Sequence, residues 1–180
     1  MKRRGGPRLT NPAIHSKLLP FEDLEKHLAE RRSRGERIVM TNGCFDLLHP
    51  GHLSSLEFAR RQGDCLIVAI NSDRSTTVLK GAGHPIVDEC GRAKLLAGLI
   101  CVDYVVVFDD VSVASTVERL HPDVLVKSGE YALDQVVGHE IVQQYGGQVL
   151  LAPMQPGYST TAIIDRIRGC TDPGNTTRGR

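Results

Sequence analysis

Apolar and polar residues alternate along the chain in blocks that predict strands followed by helices. Continuous apolar runs rich in β-branched residues occur at residues 38–41 and 65–70, and such runs are typical of parallel strands covered on both faces. Further strands are predicted at residues 102–108, 123–126 and 148–151. Strands that alternate with helical segments predict an α/β, Rossmann-like fold, in which a five-stranded parallel sheet carries helices on both faces.

Helical periodicity appears between these runs. Phe21, Leu24 and Leu28 fall at i, i+3 and i+7, which predicts an N-terminal amphipathic helix over residues 21–35. We expect this helix to pack on the sheet or on a second subunit, so the chain is predicted to form a homodimer or higher homo-oligomer. Other helices are predicted at residues 53–62, 88–99, 112–120, 135–145 and 160–167.

The ends of the chain differ in composition from its middle. Residues 1–20 are rich in Lys, Arg, Gly and Pro and are predicted to be a disordered basic tail, and residues 169–180 a flexible tail. Residues 36–168 are predicted to form one α/β domain, and 180 residues suffice for one domain with a sizeable core.

Charge and cysteine usage narrow the function classes. The chain carries 22 basic and 21 acidic residues, a net charge of +1, so nothing in its overall field favours a nucleic-acid or membrane partner. No apolar run reaches the length of a membrane span. The odd number of cysteines, without CxxC or zinc-like spacing, suits a reducing compartment, and we predict a cytoplasmic protein. The cysteines are Cys44, Cys65, Cys90, Cys101 and Cys170.

The turn after the first predicted strand carries two histidines. Asn42 and Gly43 form a sharp exit from the strand, and His49 and His52 follow, three residues apart, at the start of a predicted helix. Both imidazoles can therefore lie on one face, beside backbone N–H groups that attract phosphate, while Gly51 allows close approach of a ligand. A single histidine here would more often be a capping residue. Two histidines around a glycine, directly after a buried strand, favour a functional site.

Residues 41–52, which read Thr-Asn-Gly-Cys-Phe-Asp-Leu-Leu-His-Pro-Gly-His, resemble the signature of the cytidylyltransferase-type nucleotidyltransferases. Agreement continues at residues 71–73, 79–81, 102–103, 126–131 and 157–161 and covers roughly residues 37–168. The Leu-Lys-Gly and Val-Lys-x-Gly-Glu-Tyr segments most resemble the adenylyltransferase half of the bifunctional heptose-phosphate kinase/adenylyltransferases, which makes ADP-heptose. A separate sugar-kinase domain is not expected within these 180 residues.

The resemblance implies the strand order 3-2-1-4-5, which places the first and fourth strands side by side. Ligands bind such sheets outside the carboxyl ends of the strands, at the point where the order reverses. The resemblance also implies transfer of AMP from ATP to a sugar 1-phosphate, most specifically D-glycero-D-manno-heptose 1-phosphate, giving ADP-heptose and pyrophosphate. Mg²⁺ is expected to accompany ATP. Asp46 or Asp103 could assist the ion, but each equally suits a turn or cap, so no metal ligand is assigned.

The family resemblance also implies which residues form the site. His49, His52 and Lys80 are expected to be catalytic, with Lys80 on a flexible loop that closes over the acceptor phosphate. The hydroxyls before the last helix are expected to hold phosphate as well as to cap that helix. Predicted nucleotide-binding residues are Thr41, Asn42, Gly43, Cys44, Phe45, Gly51, Lys127, Gly129, Tyr158, Ser159, Thr160 and Thr161, and predicted substrate-binding residues are Asp46, Asn71, Asp73 and Arg92.

Four positions depart from the family pattern. Met154 stands where glycerol-phosphate cytidylyltransferases usually have Arg, which disfavours CTP. His84 and Cys90 stand where the heptose group tends to have Arg and Glu, and Ser128 replaces a Gly. Two alternatives therefore stay open: a CTP-dependent cytidylyltransferase acting on glycerol 3-phosphate or a similar alcohol phosphate, and a nucleotide-binding module without turnover.

Overall fold

The five strands form one parallel sheet in the order β3-β2-β1-β4-β5, which confirms the predicted fold class and strand order. The structure is a computed structural model and describes residues 12–129 and 132–171. The strands are β1 (Ile38–Gly43), β2 (Cys65–Asn71), β3 (Tyr104–Phe108), β4 (Val124–Ser128) and β5 (Gln148–Ala152).

The central strand fixes the position of the site. In β1, Met40 is in register with Ile67 of β2 on one side and with Leu125 of β4 on the other. From β1 the chain adds β2 and β3 on one side, and it then returns to add β4 and β5 on the other side, so the strand order reverses between β1 and β4. A crevice at their carboxyl ends follows from this topology.

Helices cover both faces of the sheet. They are α1 (Pro12–His15), α2 (Phe21–Ser33), α3 (Pro50–Arg60), α4 (Asp73–Lys80), α5 (Glu89–Ala97), α6 (Ala114–Leu120), α7 (His139–Gln144) and α8 (Thr160–Thr171), and a short 3-10 helix lies at Leu133–Gln135. None of the helices within residues 12–129 and 132–171 combines the length and the apolar character needed to cross a bilayer.

A separate apolar core fills each side of the sheet. On one side, Leu24 and Leu28 of α2 are fully buried against the β1 and β4 side chains of Met40 and Leu125. Burial of one such leucine contributes roughly 1.5–3 kcal/mol. The apolar stripe of α2 is thus covered by the chain's own sheet, and the prediction of a homo-oligomer must rest on other surfaces. Helices α3 and α5 fill the other side, with Leu56 and Leu96 among the buried residues.

The segment before α2 differs from its predicted disorder. Residues 12–20 contain α1, and Leu18 forms a parallel bridge with Val105 of the edge strand β3. The Lys17 ammonium donates to the carbonyls of Leu99 at 3.1 Å and Val102 at 2.6 Å. Ile14 and Leu18 pack on one core and Leu19 on the other, and the segment covers the β3 edge. The rest of this predicted tail, residues 1–11, lies outside the described residues.

At the other end, α8 continues to Thr171, past the predicted domain end at residue 168, and residues 172–180 lie outside the described part. Helix α4 was not predicted. Its Ser- and Thr-rich sequence has low helix propensity, but Ser72 caps it by accepting a hydrogen bond from the Ser75 N–H at 3.1 Å. Lys80 is therefore the last residue of a helix, and the loop begins only at Gly81.

Candidate active site

A cleft of about 660 Å³ opens at the carboxyl ends of β1 and β4. We call it the main cleft. Its walls come from the turn after β1, the first turns of α3 and α8, and the end of α4. The predicted site residues that line it are Thr41, Asn42, Gly43, Cys44, Phe45, Asp46, His49, Gly51, His52, Lys80, Lys127, Tyr158, Ser159, Thr160 and Thr161.

The two histidines stack at the mouth of α3. Their ring centroids lie 3.7 Å apart with an interplanar angle of 23°. The His52 N–H donates to Nδ1 of His49 at 3.3 Å, so His49 is itself the cap of α3. Because Nδ1 of His49 accepts this bond, the neutral ring carries its proton on Nε2. His49 is thereby set to donate a hydrogen bond from Nε2.

Small residues allow this arrangement. A Cβ atom on Gly51 would lie 3.1 Å from the Cε1 and Nδ1 atoms of His49 and 3.4 Å from Cβ of Tyr158. Phe45, buried in the same turn, packs its ring 5.1 Å from the His52 ring centroid. A side chain at residue 51 would therefore crowd the His49 ring, whereas its contact with Tyr158 would be an ordinary one.

Burial makes both imidazoles weak bases. Burial lowers the pKa of His49, and burial, the neighbouring His49 and Lys80 together lower the pKa of His52 to about 4, against a smaller opposing effect of the Leu47 backbone. Both rings are therefore neutral near pH 7 before an anion binds. They offer N–H donors without a fixed charge.

Two lysines supply the positive charge of the cleft. The Lys127 ammonium at the end of β4 lies 3.3 Å from Oδ1 and 3.5 Å from the carbonyl oxygen of Asn42. Burial, and to a lesser extent repulsion from Lys80, lowers the pKa of Lys127. Lys80 therefore lies close enough for its charge to lower the pKa of both Lys127 and His52. A bound anion would relieve the repulsion among these groups.

A second cleft of about 590 Å³, the side cleft, adjoins the main cleft on the β2 side of β1. The two share Asn42, Gly43, Cys44, Lys80 and Lys127. Asn71 lines the side cleft, where its amide donates to Ser75 Oγ at 3.3 Å. The other side-cleft residues include Phe108, Val111, Val113, Val136 and Val137, together with Ser112 and Gln135.

The structure places Arg92 and Asp73 away from both clefts. Arg92 is fully buried, and its guanidinium donates to the carbonyls of Val87 at 2.9 Å and Cys44 at 2.5 Å and to Asp73 Oδ1 at 2.8 Å. With these acceptors in place, Arg92 joins α5, the β1 turn and the start of α4. We therefore assign Arg92 and Asp73 a structural role in place of the predicted contact with substrate.

Asp46 and Gly129 also differ from expectation. Asp46 borders the main cleft, but its carboxylate accepts hydrogen bonds from His84, Ile86 and Val87 rather than facing a substrate hydroxyl. Gly129 does not line either cleft and has a positive φ of 133°.

The hydroxyl groups at the start of α8 have different contacts. Ser159 Oγ caps the helix by accepting a hydrogen bond from the Ala162 N–H at 3.0 Å, while Thr160 and Thr161 line the main cleft.

Further cleft residues were not predicted as site residues, although His84, Ser128 and Met154 stand at positions where the chain departs from the family pattern. Ser55 lies one turn after His52 on α3, a spacing that could have indicated it, and its hydroxyl donates to Ser128 Oγ at 2.9 Å. Gln155 receives a hydrogen bond from Ser54 and stands in the loop before α8, without a helical or strand period to mark it. The remaining residues are Leu56, His84, Ser128 and Met154.

The described residues contain no cluster of three or more His, Cys, Asp or Glu side chains that could hold a metal ion. Asp103 lies at the opposite end of the sheet, where it accepts from the Leu66 N–H at 2.8 Å and pairs with Arg60 at 3.3 Å. It is therefore not a candidate metal ligand. Asp46 is the carboxylate among the described residues that line the main cleft, and its oxygens are occupied.

Comparison with known proteins identifies the family of this chain. Residues 40–166 match the family described as Cytidylyltransferase-like. The chain is 50% identical over 155 residues to Bifunctional protein HldE of Koribacter versatilis and 50% identical over 151 residues to that of Pseudomonas paraeruginosa, covering 86% and 84% of this chain and 32% of each relative. It thus spans about a third of the length of these relatives.

A solved structure is similar as well. The lipopolysaccharide core biosynthesis protein from Thermoplasma volcanium superposes with a TM-score of 0.58 at 25% identity, over 67% of this chain and 99% of that one. These comparisons confirm the family resemblance read from residues 41–52 and support the prediction of a nucleotidyltransferase. The chain belongs to the cytidylyltransferase-like family.

Proposed function

We propose that this chain is an adenylyltransferase that moves AMP from ATP to a sugar 1-phosphate, most specifically D-glycero-D-manno-heptose 1-phosphate, giving ADP-heptose and pyrophosphate. The observation that carries the proposal is the meeting of two clefts at Lys80 and Lys127, below the stacked His49 and His52. One cleft can hold a nucleotide and the other an acceptor. The similarity to proteins named HldE supports the heptose acceptor.

The chemistry needs alignment and charge neutralisation. An oxygen of the acceptor phosphate forms a bond to the α-phosphorus of ATP, the bond from that phosphorus to the bridging oxygen breaks, and pyrophosphate leaves with the electron pair. The acceptor phosphate is already an anion, so no base has to remove a proton. The residues of the cleft then stabilise the negative charge that develops on the transferring group and on the pyrophosphate.

Each group has a role in this proposal. His49 donates from Nε2, and His52 adds a second N–H at the same face. Lys80 and Lys127 supply point charges between the two clefts, while Thr160, Thr161 and the first turn of α8 bind phosphate oxygens. Mg²⁺ would arrive with ATP and be held chiefly by phosphate oxygens and water, because Asp46 is the carboxylate among the described residues that line the main cleft and its oxygens already accept hydrogen bonds.

The test is the mass of the product. The purified chain is incubated with MgATP and heptose 1-phosphate of either anomeric form, and the nucleotide products are identified by mass spectrometry. ADP-heptose together with pyrophosphate is the expected result. ATP binding, seen as thermal stabilisation, without any product from a wide set of sugar phosphates would instead support a nucleotide-binding module.

Thermal stabilisation also distinguishes ATP from CTP as the nucleotide substrate. Met154 borders the main cleft and is 54% exposed, so this position offers no cation to a nucleotide phosphate. We expect larger thermal stabilisation by ATP than by CTP at equal concentration. A CTP preference, with a CDP-alcohol formed from glycerol 3-phosphate, would favour the cytidylyltransferase alternative.

A further inference from the structure

The carboxylate of Asp46 organises the segment that follows α4. Its Oδ2 atom lies 2.6 Å from Nδ1 of His84, and its Oδ1 atom accepts from the N–H groups of Ile86 at 2.6 Å and Val87 at 3.1 Å. Asp46 itself is 4% exposed and comes from the turn after β1. One buried side chain thus fixes both the backbone of the 84–87 segment and the orientation of the His84 ring.

His84 is held from three sides. Its carbonyl oxygen accepts from Thr77 Oγ1 at 2.6 Å, its N–H donates to the carbonyl of Gly81 at 3.3 Å, and Nδ1 faces Asp46. The side chain is 26% exposed and borders the main cleft, as Lys80 does. With Nδ1 occupied, Nε2 is the polar ring atom left for a ligand.

The charge state of Asp46 determines which nitrogen carries a proton. Burial raises the pKa of Asp46, but the hydrogen bonds from His84, Val87 and Ile86 outweigh burial and hold that pKa below its usual value. Asp46 is therefore a carboxylate near pH 7, and Nδ1 of His84 must be the donor. A phosphate that carries a proton can therefore share it with Nε2, in a hydrogen bond between this ring nitrogen and a phosphate oxygen.

We infer that His84 binds a phosphate group of the reactants through Nε2 and that Asp46 is the residue that positions it. This inference rests on the proposed function. Phosphate is the ligand that suits the surroundings, because His49, His52, Lys80 and the first turn of α8 border the same cleft and all favour anions. The phosphate belongs either to the acceptor or to ATP.

Two variants separate phosphate binding from support of the loop. In His84→Asn the side-chain amide nitrogen takes the place of Nδ1 and can still donate to Asp46, but nothing replaces Nε2. In His84→Gln the amide nitrogen takes the place of Nε2, and Asp46 loses its partner. Measurement of KM and kcat for both substrates, with the thermal midpoint of each variant, compares the two roles.

We expect His84→Asn to lower kcat/KM about 10- to 100-fold, as for loss of a hydrogen bond to a charged group, with little change in the thermal midpoint. His84→Gln should lower the midpoint and keep more of kcat/KM. A rise in KM for the sugar phosphate alone assigns His84 to the acceptor, and a rise for ATP alone assigns it to the triphosphate. His84→Asn with both kcat/KM values within about twofold of the unmodified chain would overturn the inference.

A binding measurement keeps the test independent of the substrate. Long-range ¹H–¹⁵N spectra of the unmodified chain should show His84 protonated on Nδ1, and addition of inorganic pyrophosphate should shift its Nε2 signal. Asp46→Asn should abolish that Nδ1–H signature, whereas His15→Asn, an exposed position in α1, should change nothing. If neither pyrophosphate nor heptose 1-phosphate moves the Nε2 signal, the inference fails. If the signal shifts but no sugar phosphate is converted, only the proposed function fails.

Discussion

Nδ1 of His49 accepts a hydrogen bond from the backbone N–H of His52, and the two rings stack 3.7 Å apart. Protonation of both rings would place two positive charges in contact and break the helix cap at once. The pair therefore presents two neutral rings, and the helix cap sets the tautomer of His49. This arrangement offers hydrogen bonds to an anion without a charge that would repel Lys80.

The first prediction concerns His52. Replacement of His52 by Ala should lower kcat about 100- to 1,000-fold, because a preorganised donor to the developing charge is lost. Steady-state pyrophosphate release measures the effect. His15→Ala, remote from both clefts, serves as the matched control and should leave kcat unchanged. Near-normal turnover of the His52 variant would contradict the proposed mechanism.

The second prediction concerns pH and stability. The pKa of His52 falls from about 6.5 in the unfolded chain to about 4 in the folded one, so protons bind more tightly to the unfolded state. The stabilisation is complete above pH 6.5 and is lost as the pH falls from 6.5 towards 4, with about 2 kcal/mol lost by pH 5. Urea unfolding at pH 7.5, 6 and 5 measures it.

In His52→Gln, which cannot titrate, the loss of stability over that pH range should be smaller by the same amount. Equal pH dependence in the two chains would show that His52 does not stay neutral in the folded protein.

The third prediction concerns Arg92. Replacement by Met leaves the Cys44 and Val87 carbonyls and Asp73 without their buried donor, and should lower the free energy of unfolding by about 2–3 kcal/mol. Thermal unfolding measures the change. Arg74→Met is the control, because the Arg74–Asp109 pair is largely exposed and should contribute little.

The KM values of the Arg92→Met chain, measured where it is folded, should stay within about twofold of the original, since this guanidinium faces protein acceptors only. A large rise in KM without loss of stability would restore the earlier prediction that Arg92 binds substrate phosphate.

The fourth prediction concerns Gly51. A methyl group there would press on the His49 ring, from which its carbon would be 3.1 Å away. Gly51→Ala should therefore displace that ring and lower kcat by about tenfold or more, with a small effect on stability. Gly169→Ala, where a Cβ meets open space in α8, is the matched control for a glycine in a helix. Equal kcat in the two variants would show that the position of the His49 ring does not depend on the absence of a side chain at residue 51.

Sequence reasoning predicted the sheet well because β2 is buried throughout and the first four residues of β1 are buried, so both strands carry an uninterrupted apolar signal. It also located most of the main cleft, since the strand order forces the turn after β1 and the end of β4 together. Helix α4 escaped prediction because a side-chain cap at Ser72 offsets poor propensity. Lys80 was accordingly assigned to a loop.

Charged residues were the hardest to assign. Arg92 was expected to meet phosphate because it resembles a family position that holds phosphate. Two of its three protein acceptors, Cys44 and Asp73, lie 48 and 19 residues away along the chain, and the sequence does not show that they meet it. Asp46 was likewise expected to meet substrate from the resemblance. Its partner His84 lies 38 residues further along the chain, and only the folded structure joins them.

The proposed adenylyltransferase activity is tested by pyrophosphate release from the unmodified chain with Mg²⁺. ATP and CTP are each combined with heptose 1-phosphates and with glycerol 3-phosphate. We predict release with ATP and a heptose 1-phosphate, and background release in the other combinations. Release with CTP and glycerol 3-phosphate, and none with ATP and heptose 1-phosphate, would contradict the proposed nucleotide and the proposed acceptor together.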